Sequence, residues 1–142
     1  MTNKNQTFNS QFQQDYILYH ALFRDHPYGY YVDLAASYPR WISNTWFFDH
    51  CLNWEGLCVD ADNSVWGPLE RERSCKVVKT CIADKEAEME FQGHGVLGGA
   101  IGVNKLGAYG GGESKESRVL RCAPLQNFLG ERKQIDFLSL DV

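Results

Sequence analysis

The stretch YYVDLAASYPRWISNT, residues 30–45, places an apolar run, an aspartate and three small residues ahead of a helix start. An apolar run of this kind is typical of a buried strand in a parallel sheet. Small residues after Asp33 let backbone amides approach a ligand, and the N-terminus of the following helix adds partial positive charge. The glycines that usually build such a turn are absent. The stretch therefore predicts either a cofactor turn of altered form or a plain strand-to-helix connection.

Strands and helices alternate along the rest of the chain. This alternation predicts an α/β fold in which a parallel-rich sheet carries helices on both faces. The predicted helices are Ser10–Arg24, residues 43–53, the stretch up to Arg73, and LQNFLGE (125–131). The predicted strands are YYVDLAA (30–36), GLCVDAD (56–62), CKVVKTCIA (75–83), AEMEF (87–91), RVLRCAP (118–124) and IDFLSLDV (135–142).

Length and composition limit the classes of protein that the chain fits. The 142 residues, 44% of them hydrophobic, predict one domain over residues 10–142 after a polar leader at 1–9. The net charge of −4 and the scattered basic residues predict no nucleic-acid partner. No run approaches the roughly eighteen apolar residues of a membrane span, and the N-terminus lacks the apolar core of a signal peptide. A cytoplasmic protein without a membrane segment is the default expectation.

The five cysteines give no sign of a metal or disulfide framework. Their number is odd and no CxxC pair occurs. Three of them, Cys58, Cys75 and Cys81, lie in or beside apolar runs. The sequence therefore predicts buried structural thiols and no metal site.

The carboxyl ends of the first two predicted strands are the place to look for a ligand. In a parallel α/β sheet, ligands collect outside these ends, where the strand order reverses. Asp33 and the small residues Ala35, Ala36 and Ser37 occupy the first end. Asp60, 27 positions after Asp33, occupies the second, where a carboxylate accepts the hydroxyl protons of an adenosine ribose. These residues alone fit an adenosine site and a structural turn equally well, and the missing G-x-G-x-x-G disfavours a dinucleotide.

The order of several short motifs resembles the FkbM-type methyltransferases. The motifs are VDLAAS (32–37), SNT (43–45), NWEGLCVDA (53–61) and KVVKTCIA (76–83). Further similarities lie in SQFQQD (10–15), GVLGGAIG (95–102) and IDFLSLDV (135–142). The resemblance extends from about Ser10 to the end of the chain. It implies a Rossmann-like methyltransferase fold that binds S-adenosyl-L-methionine.

The resemblance also implies roles for individual residues. Asp33 would organise the turn near the methionine moiety, and Asp60 would bind the ribose diol. Ala35, Ala36 and Ser37 would form the backbone cradle. Asn44 and Gln14–Asp15 would add cofactor or turn contacts. Ala83 and Asp84 would hold the adenine. The family commonly has glycine where Ala36 stands, and Glu-Pro in place of Asp60-Ala61. Because alanine tolerates a positive φ poorly, we expect strain at Ala36 to reshape the loop or to reduce cofactor affinity.

The C-terminus of the chain departs from the family pattern as well. The family continues with Glu-Gly and further strands and helices, whereas this sequence ends at Asp141-Val142. We expect a partial domain, truncated after the fourth core strand, whose open sheet edge is covered by a missing carboxyl-terminal half or by an oligomer. Asp141 is the candidate to orient a substrate.

The resemblance implies O-methyl transfer to a sugar or another small-molecule acceptor. The alternative is a catalytically inactive Rossmann-like module that binds a nucleotide or a protein. The glycine-rich loop at 93–112, with His94, is interpreted either as a lid over the site or as a flexible insertion.

Overall fold

The computed structural model describes residues 8–93, 99–100 and 117–141. These residues form a mixed α/β fold with a four-stranded parallel sheet and a separate three-stranded antiparallel sheet. The helices are α1 (Gln14–Leu18), a π-helical segment (Tyr19–Phe23), α2 (Trp46–Leu52), α3 (Asn63–Glu72) and α4 (Gln126–Leu129). The strands are β1 (Tyr30–Leu34), β2 (Glu55–Val59), β3 (Lys76–Val78), β4 (Ala87–Gln92), β5 (Gly99–Ala100), β6 (Ser117–Cys122) and β7 (Phe137–Leu140).

The parallel sheet has the strand order β3-β2-β1-β7. The chain moves from β1 outward through β2 to β3, and then returns to add β7 on the other side of β1. Asp33 is aligned with Cys58 on β2 and with Ser139 on β7. The reversal of strand order therefore falls between β1 and β7, and ligands of parallel α/β sheets collect at the carboxyl side of such a point.

Helices cover both faces of the parallel sheet, as the sequence predicted. Successive side chains of a strand point to opposite faces, so neighbouring residues of β1 enter different cores. Tyr31 packs in the cluster that contains Phe47 and Phe48 of α2 and Leu69 of α3. Val32 packs in a second cluster, against which Phe128 of α4 is placed. This burial fixes the register of β1, because a slip of one residue would exchange the two faces.

The antiparallel sheet has the order β5-β4-β6 and stands apart from the parallel one. AEMEF is a strand, as predicted, but it pairs with β6 and not with the parallel strands. The predicted third strand over 75–83 is shorter, because β3 ends at Val78. Beyond β3, Ile82 forms a bridge with Ala123 instead. The chain thus leaves the first sheet at this point and joins the second.

The structure corrects the expectation of unpaired cysteines. Cys58 and Cys75 form one disulfide, and Cys81 and Cys122 form another. Cys58 lies on β2 and Cys75 directly precedes β3, so strand pairing brings the two side chains together. Cys81 and Cys122 meet where the segment after β3 joins the end of β6. Cys51 lies outside both disulfides, which explains the odd number.

The predicted helix over Ser10–Arg24 is also only partly correct. Helix α1 begins at Gln14, and the backbone continues from it as the π-helical segment. Gln13 has a left-handed φ of 61°, which is incompatible with a helix that starts earlier. The Ser10 hydroxyl and amide both donate to the buried Asp15 carboxylate instead. Among the described residues, no helix has the length and apolar character needed to cross a membrane.

Candidate functional site

The turn after β1 lies at the carboxyl edge of the sheet, where the sequence placed its cofactor residues. Ala35 and Ser37 have left-handed φ values of 60° and 53°. Ala36, between them, is not among the positive-φ residues, so the strain expected there falls on its two neighbours. The amide of Ala36 donates to the carbonyl of Val59 at 3.2 Å, which ties the turn to the end of β2.

Asp60 lies directly beside this turn. Its Oδ2 accepts the amide of Ser37 at 2.7 Å, and its Oδ1 accepts the amide of Asp62 at 2.7 Å. Burial raises the pKa of Asp60, and the two amide hydrogen bonds offset part of that effect. Each carboxylate oxygen retains a second lone pair. The carboxylate therefore joins two turns and keeps acceptor capacity for a ligand.

Asp33 is buried beneath the turn, and its carboxyl group forms hydrogen bonds with two side-chain hydroxyl groups. Thr45 donates its Oγ1 proton to Oδ2 of Asp33, and the Ser139 hydroxyl also hydrogen-bonds this carboxyl. Burial raises the pKa of Asp33, while the positive charge of Arg73 and the two hydroxyl groups act in the opposite direction. Asp33 thus connects Thr45, which precedes α2, to Ser139 on β7.

Asn44 and Asp141 meet at the boundary between β1 and β7. Nδ2 of Asn44 donates to Oγ of Ser139 at 3.2 Å and to Oδ2 of Asp141 at 3.3 Å. Asp141 itself is exposed, and its amide donates to the carbonyl of Leu34 at 3.3 Å. The structure therefore brings Asn44 and Asp141 together with Asp33 at the point where the strand order reverses.

Ala83 and Asp84, the two residues expected to hold the adenine, lie farther along the chain, beside the antiparallel sheet. Ala83 packs against the cluster of Cys81, Phe91, Ala100 and Cys122, and Asp84 is exposed. Asp15, the other peripheral candidate, is fully buried and is occupied by amide and hydroxyl donors from residues 9–16. His94 and most of the glycine-rich stretch 93–112 lie outside the described residues.

Arg118 is a residue at this edge that sequence analysis missed. From β6 it donates Nε to the carbonyl of Ala61 at 2.9 Å and Nη1 to the carbonyl of Gly93 at 2.9 Å. Its charge lowers the pKa of Asp60, against the larger effect of burial. The residue after Asp60 is thereby attached to the antiparallel sheet, which forms a wall beside the end of β2.

Arg73 is the second residue that the sequence did not reveal. Its guanidinium is buried and donates to Oδ2 of Asp49 at 2.6 Å, to Oγ1 of Thr45 at 2.7 Å and to the hydroxyl of Tyr31 at 3.1 Å. No local pattern distinguishes Arg73 from the neighbouring charged residues of RERS (71–74), which are exposed. The guanidinium connects helix α2 to strand β1 directly below Asp33.

The hydroxyl of Ser37 is a further feature of the turn. Its Oγ is buried, and among the described residues it has no hydrogen-bond partner. A buried hydroxyl without a partner is costly. It therefore marks a position where a ligand atom would be favourable.

A depression of about 810 Å³ lies at the other end of the sheet. Its lining includes Tyr30, Glu55 and Lys76, the first residues of β1, β2 and β3. The depression opens at the amino ends of the strands, although Asp49 and Arg73 also line it. Topology favours the opposite, carboxyl edge, with Asp33 and Asp60, as the ligand site.

Comparison with known proteins does not assign the chain to a family. No family model, curated protein or solved structure matches it.

Within the described residues, no group of three or more His, Cys, Asp or Glu side chains is placed to hold a metal ion.

Proposed function

We propose that this chain is part of an S-adenosyl-L-methionine-dependent methyltransferase domain of Rossmann-like fold, similar to the FkbM-type family. The observation that carries the proposal is the hydrogen bond between the Ser37 amide and Asp60, which joins the turn after β1 to an acidic residue at the end of β2. Both lie beside the reversal of strand order, the location at which α/β sheets bind nucleotides. The order of the sequence motifs supplies the family.

The residues at this edge suit the adenosine and methionine parts of the cofactor. Asp60 offers its free lone pairs to the ribose hydroxyls, and the unpartnered Oγ of Ser37 offers one more hydrogen bond. The small side chain of Ala35 adds little bulk to the turn, whereas Ala36 is buried and its amide is bonded to the carbonyl of Val59. Asp33 provides negative charge beneath the turn.

The chemistry assigned to the site is displacement at a methyl carbon. When bound, S-adenosyl-L-methionine supplies a methyl group on a positively charged sulfur. Asp141, exposed at the same edge, accepts a hydrogen bond from the hydroxyl of a sugar or other small-molecule acceptor and so orients its oxygen. Asn44 holds the Asp141 carboxylate in place. Positioning of this kind is the main requirement of such a displacement.

A catalytically inactive nucleotide- or protein-binding module is the second candidate. Two non-glycine residues with left-handed φ, Ala35 and Ser37, occupy the turn that glycines usually build. This departure from the glycine-built cofactor turn is the observation that favours a module without turnover.

Calorimetric titration of S-adenosylhomocysteine into the purified chain tests the proposal. We expect saturable binding that Asp60→Asn weakens at least about tenfold, since about 1.4 kcal/mol of lost hydrogen bonding suffices. Glu55→Gln is the matched control, because Glu55 is an exposed carboxylate at the opposite end of the same strand. Absence of binding to the folded wild-type chain would refute the methyltransferase assignment. Binding without methyl transfer to a panel of sugars and hydroxylated small molecules would favour the inactive module.

A further inference from the structure

Two hydroxyl groups, those of Thr45 and Ser139, each lie between the buried Asp33 carboxyl and a second hydrogen-bond donor. The first of them is the hydroxyl of Thr45. Nη2 of Arg73 lies 2.7 Å from Oγ1 of Thr45, which in turn hydrogen-bonds Oδ2 of Asp33. A guanidinium has donors and no acceptor. The Thr45 oxygen therefore uses one lone pair for Arg73, and its proton is directed at Oδ2 of Asp33.

The second link runs through Ser139. Nδ2 of Asn44 donates to Oγ of Ser139 and also to Oδ2 of Asp141. An ionised carboxylate only accepts, so the contact with Asp141 fixes which end of the Asn44 amide carries the donors. The Ser139 oxygen is thereby an acceptor for Asn44, and its proton is directed at Asp33, its partner across the β1–β7 pairing.

The two links therefore impose the same direction on both hydroxyl groups. We propose that Thr45 and Ser139 are positioning residues that hold Asp33 as a hydrogen-bond acceptor beneath the cofactor turn, with Arg73 and Asn44 fixing the direction of each hydroxyl. The inference rests on the proposed function for its consequence, since Asp33 is the residue assigned to organise that turn.

Burial and the charged groups around Asp33 act on its ionisation in opposite directions. Arg73 favours the ionised carboxylate, but it also forms an ion pair with Asp49 at 2.6 Å. Asp141 and burial both oppose ionisation. Two carboxylates thus share one buried guanidinium. The hydroxyl donors of Thr45 and Ser139 also favour the ionised carboxylate, against the larger effect of burial, which raises the pKa of Asp33.

Carbon-13 NMR of the aspartate side-chain carboxyls, followed against pH, tests the inference in the intact chain. Thr45→Val keeps the shape of the side chain and removes the hydroxyl, whereas Thr45→Ser keeps the hydroxyl. We expect the Asp33 titration to move upward by about one pH unit in Thr45→Val, a tenfold change in its proton affinity. We expect Thr45→Ser to leave it close to wild type. Asp136, which accepts the Tyr30 amide at the opposite end of β1, serves as an internal control that does not move.

Equal titration of Asp33 in Thr45→Val and Thr45→Ser would overturn the inference. If Thr45→Val does not fold, Ser139→Ala removes the other donor and is expected to shift Asp33 in the same direction. The lower pH limit of S-adenosylhomocysteine binding should rise together with the Asp33 titration. If the folded wild-type chain binds no S-adenosylhomocysteine but Asp33 responds as expected, the proposed function fails and the positioning role stands.

Discussion

The backbone amide of Ser37 lies 2.7 Å from Oδ2 of Asp60, so a single buried carboxylate joins the turn after β1 to the end of β2. The other oxygen of Asp60 accepts the amide of Asp62, at the start of α3. Asp60 therefore has a structural task in addition to its proposed contact with ribose. The two tasks use different lone pairs and are separable by experiment.

Asp60→Asn is expected to lower the free energy of unfolding by about 1–3 kcal/mol, because one of the two amides then faces an NH₂ group and loses its acceptor. Urea unfolding at neutral pH measures the loss. Asp84→Asn is the control, since Asp84 is exposed and its substitution should change stability by less than about 0.5 kcal/mol. Equal stability of both variants would show that the two amides do not depend on Asp60.

Glycine substitutions in the turn after β1 are expected to have opposite signs at adjacent positions. Ala35→Gly should stabilise the chain by about 0.5–1 kcal/mol, because relief of a left-handed φ of 60° exceeds the entropy cost of glycine. Ser37→Gly should do the same and also removes the unpartnered hydroxyl. Ala36→Gly should destabilise by about 1–2 kcal/mol, through lost methyl burial and added chain entropy. Urea unfolding measures the stability of the three variants. A higher stability for Ala36→Gly than for the other two would contradict the positive φ at Ala35 and Ser37.

The sequence predicted the parallel sheet and the placement of Asp33 and Asp60 at the carboxyl ends of neighbouring strands for the same physical reason. Apolar runs alternating with helices require parallel strands, and the carboxyl ends of parallel strands share one edge. The proximity of Asn44 and Asp141 was not derivable in this way. It depends on β7 returning beside β1, and periodicity does not report the order of strands.

The remaining differences arise from tertiary neighbours that local patterns do not encode. AEMEF has the alternation of a strand, but alternation does not identify its pairing partner. Arg73 belongs to a class of residue that is almost always exposed, so its burial beside Asp49 has no signal in the sequence. A positive φ was expected at Ala36, because the family that the sequence resembles commonly has glycine there. The structure has positive φ at Ala35 and Ser37 instead.

The two disulfides are expected to contribute strongly to stability. In the loop-closure model, opening Cys81–Cys122, with a separation of 41 residues, costs about 4 kcal/mol, and opening Cys58–Cys75, with a separation of 17, costs about 3 kcal/mol. Urea unfolding of two double alanine variants, one for each disulfide, measures these losses. Wild-type protein in reductant should be less stable than either double variant, because it loses both disulfides.

Cys51→Ala is the control, because Cys51 lies outside both bonds and its effect should not change with reductant. Disulfides of this kind form in oxidising compartments, in contrast with the cytoplasmic default expected from the sequence. Peptide mapping without reduction should recover both cross-linked pairs after expression in such a compartment. Recovery of all five cysteines as thiols there would refute the pairing.

The buried ion pair between Arg73 and Asp49 is expected to make stability depend on pH. Burial alone would raise the pKa of Asp49, but the charge of Arg73 and the hydrogen bonds from Tyr31, Arg73 and Ser74 outweigh it and lower the pKa. A carboxyl whose folded pKa lies below its unfolded value of about 3.9 contributes stability above that value. The contribution is lost as the pH falls through the lower, folded value.

Asp49→Asn should therefore be less stable than wild type by about 3–5 kcal/mol at neutral pH, because buried Arg73 loses the carboxylate with which it forms a direct ion pair. The difference should shrink as the pH falls below about 4, where the carboxyl is protonated in the unfolded chain, and should be lost below the lower, folded pKa of Asp49. Urea unfolding of both proteins at pH values from neutral to strongly acidic checks this. Glu70→Gln is the matched control: the Glu70–Lys79 ion pair is exposed, so removing it should cost less than about 1 kcal/mol. A wild-type advantage over Asp49→Asn that stayed constant across the acidic range would show that the Asp49 charge does not stabilise the fold.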